Sequence, residues 1–402
     1  MTSWATDMAR KSGTSSGSGS IEQLCAAKEI LVSTGSGGVG KTTTAAAIGA
    51  TAATHLGVKV LVLTVDPARR LANALGLEQF GNVETRITDE AFAEAGVRPE
   101  GELWAAMLDT KQSWDDLIGL HAPDPATRDA ILANPLYQNI TGKFVQSHDY
   151  VAMERLYEIH TSGRYDLIVV DTPPTRNAID FLDAPERMAD FFSSRLLRWL
   201  ITPYRSRVVG FATKPFYSVA DRVLGTQFLE DIAEFFILFQ TMYDGFVERA
   251  KAVTTLLGGS QTSFLVVSTL EVAPAREAEF FLELLTERHY HVGALVLNKV
   301  LPELLLDSAA TDSARLMARE SADLAATLGP KLGGAAANTD HLAHVLSEVG
   351  ESFLNYQVVA RREAEQRSEM ASLPELTVSV PYFEEDIHSL SGLLRLGEKI
   401  WR

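Results

Sequence analysis

Cysteine is almost absent: Cys25 stands alone among 402 residues. That excludes any disulfide within the chain and any multi-cysteine zinc site. Soft thiophilic ions want several thiolates, and one cannot supply them. Basic charge is also short, with 36 Lys and Arg against 52 Asp and Glu and a formal net charge of −16. A nucleic-acid surface needs a basic face, so no nucleic-acid partner is expected. Long apolar runs are missing too. Phe235 to Phe239, among the most apolar stretches, is far too short to span a bilayer, and no integral membrane segment is expected. No N-terminal stretch joins basic residues to a long apolar core, which predicts a cytoplasmic protein. What remains is an ordinary globular composition, 46% hydrophobic and 22% charged, long enough for one large α/β domain or two smaller ones.

Residues 1–20 are rich in Ser, Gly and Thr and are expected to be a disordered tail, with order beginning near Ile21. Thereafter short apolar runs alternate with helical patterns. The expected strands are Ile30–Ser33, Val60–Val65, Leu103–Leu108, Leu167–Val170, Phe264–Val267, Ala294–Leu297 and Leu376–Val380. Most are near-continuous aliphatic runs, as strands buried on both faces require. Strands separated by helices imply right-handed crossovers and a mostly parallel, doubly wound sheet in one domain over residues 21–402. Two helical insertions interrupt the alternation, at about residues 185–260 and 303–370.

The richest segment is Gly35-Ser36-Gly37-Gly38-Val39-Gly40-Lys41-Thr42-Thr43, directly after the first apolar run. This is a strand, a glycine-rich turn and a helix start in the phosphate-loop pattern G-x-x-x-x-G-K-[ST]. Glycines let consecutive backbone N–H groups converge on a phosphate, and the helix N-terminus adds partial positive charge. Lys41 would reach the β- and γ-phosphates, and the Thr42 hydroxyl would ligate Mg²⁺. Gly35, Gly37 and Gly40 also fit a dinucleotide fingerprint, with Asp66 where a ribose-binding acid would sit. Lys41 and Thr42 argue against that reading, because a dinucleotide site has no use for them there.

Two later strands end in aspartate. Tyr165-Asp166-Leu167-Ile168-Val169-Val170-Asp171 places Asp171 where a phosphate-loop enzyme supports Mg²⁺, directly or through water. Val62-Leu63-Thr64-Val65-Asp66-Pro67 places Asp66 where a carboxylate can orient or deprotonate the attacking water. Asp66-Pro67 equally fits a helix start, with Asp66 as N-cap and proline at the first helical position. In an open parallel sheet ligands bind beyond the strand C-termini, so one ligand can touch all three segments.

In this order, the phosphate loop, Asp66-Pro67-Ala68 and Asp171-Thr172-Pro173-Pro174-Thr175 resemble the arsenite-pump and tail-anchored-protein-targeting ATPases, deviant-Walker phosphate-loop enzymes. The resemblance continues through Glu102 to Asp109, Val296-Leu297-Asn298 and Val380-Pro381, and is nearest to a bacterial branch of anion-transporting ATPases. It implies a dimer closing over two ATP molecules, coupling hydrolysis to a client-binding surface. It also implies that Gly37 to Thr43 bind phosphate within a cofactor-binding loop of Gly35 to Thr43, that Thr42 and Asp171 (through water) serve Mg²⁺, and that Asp66 positions water. Asn298, Pro381, Tyr382 and Phe383 would contact adenine. The partner would be a second copy or a paralogous ATPase, with a hydrophobic protein as client.

Three departures from the family pattern stand out. The signature lysine that crosses the dimer interface is replaced by Ser36, while Arg69, Arg70 and Arg176 are candidate substitutes. A positioned cation at such a site is worth a factor of roughly 10³ or more, so slow hydrolysis, or a switch subunit paired with an active paralogue, is the competing expectation. The zinc-clasping Cys-x-x-Cys of the eukaryotic targeting factors is absent. His341-x-x-His344 and His289-x-His291 are imperfect substitutes, expected to be ordinary surface or helix histidines. Arsenite extrusion is not expected with a single cysteine. In the first insertion Phe191, Phe192, Arg195, Leu196, Trp199 and Leu200, and then Phe228, Ile232, Phe235, Phe236 and Phe239, recur at helical spacing. Only Met188 and Met242 provide methionine there, and such aromatic stripes fit a core at least as well as a client groove.

Overall fold

The computed structural model describes residues 19–65, 69–75, 77, 81–140, 145–173, 182–184, 187, 190, 226–332, 338–370 and 376–401. Residues 1–18 of the expected tail, all of the first aromatic stripe, Met188, Asp66 and Arg176 lie outside them.

Along the chain, α1 (Ile21–Ala27) leads into β1 (Ile30–Gly35) and α2 (Lys41–His55). Next come β2 (Lys59–Thr64), α3 (Arg69–Ala74), β3 (Thr85–Arg86), α4 (Asp89–Glu94) and β4 (Glu102–Met107). The helices α5 (Thr110–His121), α6 (Pro125–Ala133), α7 (Pro135–Ile140) and α8 (Val145–Thr161) precede β5 (Leu167–Asp171). Beyond it lie α9 (Thr226–Phe239), α10 (Tyr243–Gly258), β6 (Thr262–Ser268), α11 (Val272–Glu287) and β7 (Val292–Val300). The last part holds α12 (Ser308–Arg319), α13 (Ser321–Leu332), α14 (Thr339–Met370), β8 (Thr377–Pro381) and α15 (Leu390–Trp401).

The strands form one sheet in the order β3-β4-β2-β5-β1-β6-β7-β8. Every neighbouring pair is parallel except β3 with β4. All seven expected strands are present, and β3 is an addition. It is two residues long, Thr85 and Arg86, and so short a polar edge strand carries no periodicity to read.

Both faces are covered, as a parallel sheet requires. Ile30, Val32, Ile168 and Val170 point into one core with Trp114, Tyr150, Phe246 and Phe281. Leu31, Leu167 and Val169 point into the other, beneath α2 and α15. The two-residue alternation within each strand divides the chain's apolar side chains between these layers.

α2 is buried from Thr44 to Thr54. Its Ala-rich sequence lets it sink between the sheet and α15, with glycine at both contacts. A Cβ at Gly49 would overlap the Val62 side chain, and one at Gly397 would overlap Thr51 Oγ1 and lie 2.9 Å from Ala47 O. The helix that the phosphate loop opens is therefore held on every side.

Phe235 and Phe239 of the second aromatic stripe are buried, with Ile232 and Phe236 packed against the same core. Phe239 stacks on Phe246 with ring centroids 5.0 Å apart. The Phe228 side chain lies outside the described residues. Among the described residues no helix is long and apolar enough to cross a membrane.

Candidate nucleotide-binding site

β1 and β6 run in register to Gly35 opposite Val267. A Cβ on Gly35 would overlap the Val267 carbonyl, so the strands converge here only because this residue is glycine. The chain then turns through left-handed backbone at Gly38 (φ +82°) and Gly40 (φ +97°), which glycine adopts without steric cost. At Gly37 and Gly38 nothing lies within 4 Å of where a Cβ would stand, leaving open space around the loop.

Gly40 is the N-cap of α2, and no side chain caps the helix. The first intrahelical bond runs from Thr44 N–H to Gly40 O at 2.9 Å. A helix start offers its leading N–H groups and the positive end of its dipole to an anion. Thr43 is half-buried in that first turn. The buried Lys41 folds back to donate from Nζ to Ser36 O at 2.8 Å, spanning the loop from end to end.

Sheet order explains the acid beside this loop. β5 lies between β1 and β2, with Asp171 opposite Ser33 on one side and Thr64 on the other. Asp171 is fully buried. Its Oδ2 accepts from Thr42 Oγ1 at 2.6 Å and from Thr64 Oγ1 at 2.9 Å. Thr172 latches the same strand end to β1, donating from Oγ1 to Ser33 O at 2.9 Å. An all-oxygen donor set of hydroxyl and carboxylate beside a phosphate cradle fits Mg²⁺, which takes one or two carboxylates and leaves other positions to phosphate and water.

The far wall comes from β7. Asn298 donates from Nδ2 to Val39 O at 2.8 Å and accepts the Lys299 N–H at 2.9 Å. Lys299 reaches back to donate from Nζ to Gly38 O at 3.2 Å. Pro381 pairs with Val300, and Tyr382 N–H donates to Val300 O at 3.0 Å. Tyr382 is exposed, whereas Phe383 packs against the α2-side core. The sequence-derived residues from Gly35 to Thr43, with Asp171 and Asn298, thus gather at one end of the sheet, and Pro381 to Phe383 continue that edge beside β7.

Asp66 is outside the described residues. Its predecessor Val65 is fixed by an N–H bond to Asp171 O at 3.0 Å. Arg69 and Arg70 open α3, but their side chains are outside the description. Ser36 donates from Oγ to Glu277 Oε2 of α11 at 2.6 Å.

The loop, the uncapped helix and the threonine–aspartate knot thus lie together at one end of the sheet. The sequence profile of the anion-transporting ATPases matches residues 28–323. The chain belongs to that family. A protein of Aquifex aeolicus named as an arsenical pump-driving ATPase is 24% identical over 281 residues, 67% of this chain and 79% of that one. An Entamoeba dispar ATPase ASNA1 homolog is 26% identical over 67% of this chain and 75% of its own length. An uncharacterised Streptomyces coelicolor protein is 30% identical over 68% of this chain. The match spans 63% of that Streptomyces protein, and 64% of a second Aquifex aeolicus pump-driving ATPase.

Three contacts at this site were not anticipated from sequence. Thr64 was read only as part of an apolar strand, although a hydroxyl at such a strand end is itself a signal. Glu277 and Lys299 carry no local signal, because a charge on a helix or after a strand reads as solvated. The histidines make ordinary contacts: His291 Nδ1 lies 2.8 Å from Ser263 Oγ, and the exposed His344 lies 3.3 Å from Glu348. Among the described residues no three or more His, Cys, Asp and Glu gather to hold a metal. Cys25 is buried, and burial pushes its thiol far above the ordinary range.

Proposed function

We propose that the chain is a Mg²⁺-dependent ATP hydrolase working as a dimer, with its chemistry at the end of β1, β2 and β5. The observation that carries this reading is Asp171 Oδ2 accepting from both Thr42 and Thr64 beside the phosphate loop. In this reading the N–H groups of Gly37 to Thr43 take the phosphate oxygens. Lys41 exchanges the Ser36 carbonyl for the β- and γ-phosphates. Thr42 and Asp171 (through water) hold Mg²⁺, which when bound neutralises charge along the phosphates. Asp66 orients a water whose oxygen bonds to the γ-phosphorus as the bond to the β–γ bridging oxygen breaks, leaving ADP and phosphate. The water's proton is lost to solvent or to the released phosphate.

Dimerisation, with a second copy or a paralogous ATPase, and coupling to a hydrophobic client protein belong to the same proposal. The segments that follow Asp66 and Asp171 are the natural relays, since γ-phosphate contacts order such loops. Arsenite is an ill-fitting cargo, because the single thiol is buried in α1.

A second reading is favoured by Ser36, whose hydroxyl is engaged by the acid Glu277 where a cation would assist transfer. It makes the chain a nucleotide-binding switch with little turnover of its own. Phosphate release with ATP and Mg²⁺, alongside solution mass with and without nucleotide, separates the two. Turnover abolished by Asp66→Asn, in a nucleotide-dependent dimer, supports the hydrolase. Tight ATP binding without turnover selects the switch.

A further inference from the structure

We infer that α14 carries a seam for a second copy of this chain, which docks along it as an antiparallel helix pair. The contact is separate from the nucleotide-dependent dimer proposed above and needs no nucleotide.

Two faces of α14 are occupied differently. One is buried in its own bundle. A Cβ on Gly350 would stand 2.5 Å from Ala314 O of α12, Gln357 donates to Leu305 O at 3.0 Å, and Ala360 is buried. Beside that face runs an apolar stripe of Val345, Val349, Tyr356 and Val359, exposed by 40, 53, 56 and 46%. With Ser352 between them the spacing alternates four and three residues, the repeat by which one helix seats along another. At the next position of the repeat the stripe ends, because Glu363 turns its carboxylate inward to accept the Leu301 N–H at 3.1 Å. A solvated helix face needs no such repeat.

Charge and symmetry select the occupant and its direction. Along the edge of the stripe away from the bundle lie Glu348, Asn355 and Arg362 at seven-residue intervals, all exposed. When two identical helices pair antiparallel, Val349 meets Val359 of the other copy, and Tyr356 meets Ser352, large against small. Glu348 of each copy then lies beside Arg362 of the other, giving two opposite-charge pairs. Asn355 falls beside itself at the two-fold axis, where a charge would repel its own copy and an amide can both donate and accept. A parallel pair would instead set Arg362 against Arg367 of the other copy. The seam is thus complementary to its own reversal. Its four exposed apolar side chains offer on the order of 300 Å² per copy, enough to mark a partner site. The resulting total of about 600 Å² is about half of what a stable specific interface buries, so this association is weak and concentration-dependent.

The test is sedimentation equilibrium of the full chain without nucleotide, across a range of micromolar concentrations. The wild-type chain is expected to dimerise reversibly. Glu348→Arg or Arg362→Glu turns two attractions into two repulsions and is expected to weaken the dimer about tenfold. Combining the two restores both pairs and is expected to return the dimer to within about threefold of wild type. With Cys25 buried, Asn355→Cys is expected to be joined into a covalent dimer by a short bismaleimide, whereas Val358→Cys, exposed but turned away from the seam, is not. A chain monomeric at every concentration, a double variant as weak as either single one, or cross-linking at Val358→Cys in place of Asn355→Cys would each overturn the seam. Association that requires ATP and ignores the charge swaps would also overturn it, while leaving the nucleotide-dependent dimer standing.

Discussion

Gly40 and Asn298 occupy each other's space, and a double-mutant cycle makes the consequence measurable. Gly40 sits at φ +97°, and a Cβ there would overlap Asn298 Nδ2. Alanine at Gly40 carries about 1.5 kcal/mol of left-handed strain. It also drives the Asn298 amide from Val39 O, and losing that buried bond costs about 2 kcal/mol. Gly40→Ala should therefore destabilise the nucleotide-free chain by about 3.5 kcal/mol, and Asn298→Ala by about 2 kcal/mol. In the double variant there is no amide left to displace. Its expected cost is again about 3.5 kcal/mol, against about 5.5 kcal/mol for independent sites, a coupling near 2 kcal/mol. Equilibrium urea unfolding followed by tryptophan fluorescence reads all four corners. Additivity to within about 0.5 kcal/mol would refute the proposed clash and its role in shaping the loop.

Two other perturbations have a calculable sign. Gly397→Ala forces α15 away from α2 and should cost about 2 kcal/mol in a thermal or urea melt, with Thr51→Ala restoring part of it because the blocking hydroxyl is gone. An unrescued or silent Gly397→Ala would show that the helices do not meet as described. Burial lowers the pKa of His121 from its ordinary 6.5, assisted by Arg249 and opposed by Glu154. Below that value the unfolded chain binds a proton that the folded one refuses. His121 thus contributes fully above pH 6.5 and its contribution is lost on acidification toward its lowered folded value. Replacing it with leucine should flatten the acid limb of a stability–pH curve, and an unchanged slope would contradict the assignment.

The sheet was legible because β1, β2, β5, β6 and β7 bury both faces, and such strands must be written as apolar runs. β3 was not, since its two polar residues depend on β4 for their pairing. The phosphate loop and Asp171 were readable because their chemistry demands fixed residue types at fixed spacing. The contact of Lys299 with Gly38 O was not, because it follows from a register shift and a backbone turn that no side-chain pattern announces. Glu277 reaches Ser36 across 241 positions of sequence, a proximity set by the β1–β6 pairing and not by anything near either residue.

The close seat of α15 on α2 also sets a timetable for synthesis. Residues 35–42 leave the ribosome early, yet the helix they open is roofed by residues 390–401, and β1 waits for β5 and β6 on either side. Contacts so distant in sequence form late. A nascent chain would carry the complete phosphate-loop sequence before the elements that pack around it. The seat of that helix is then completed only when α15 packs against it.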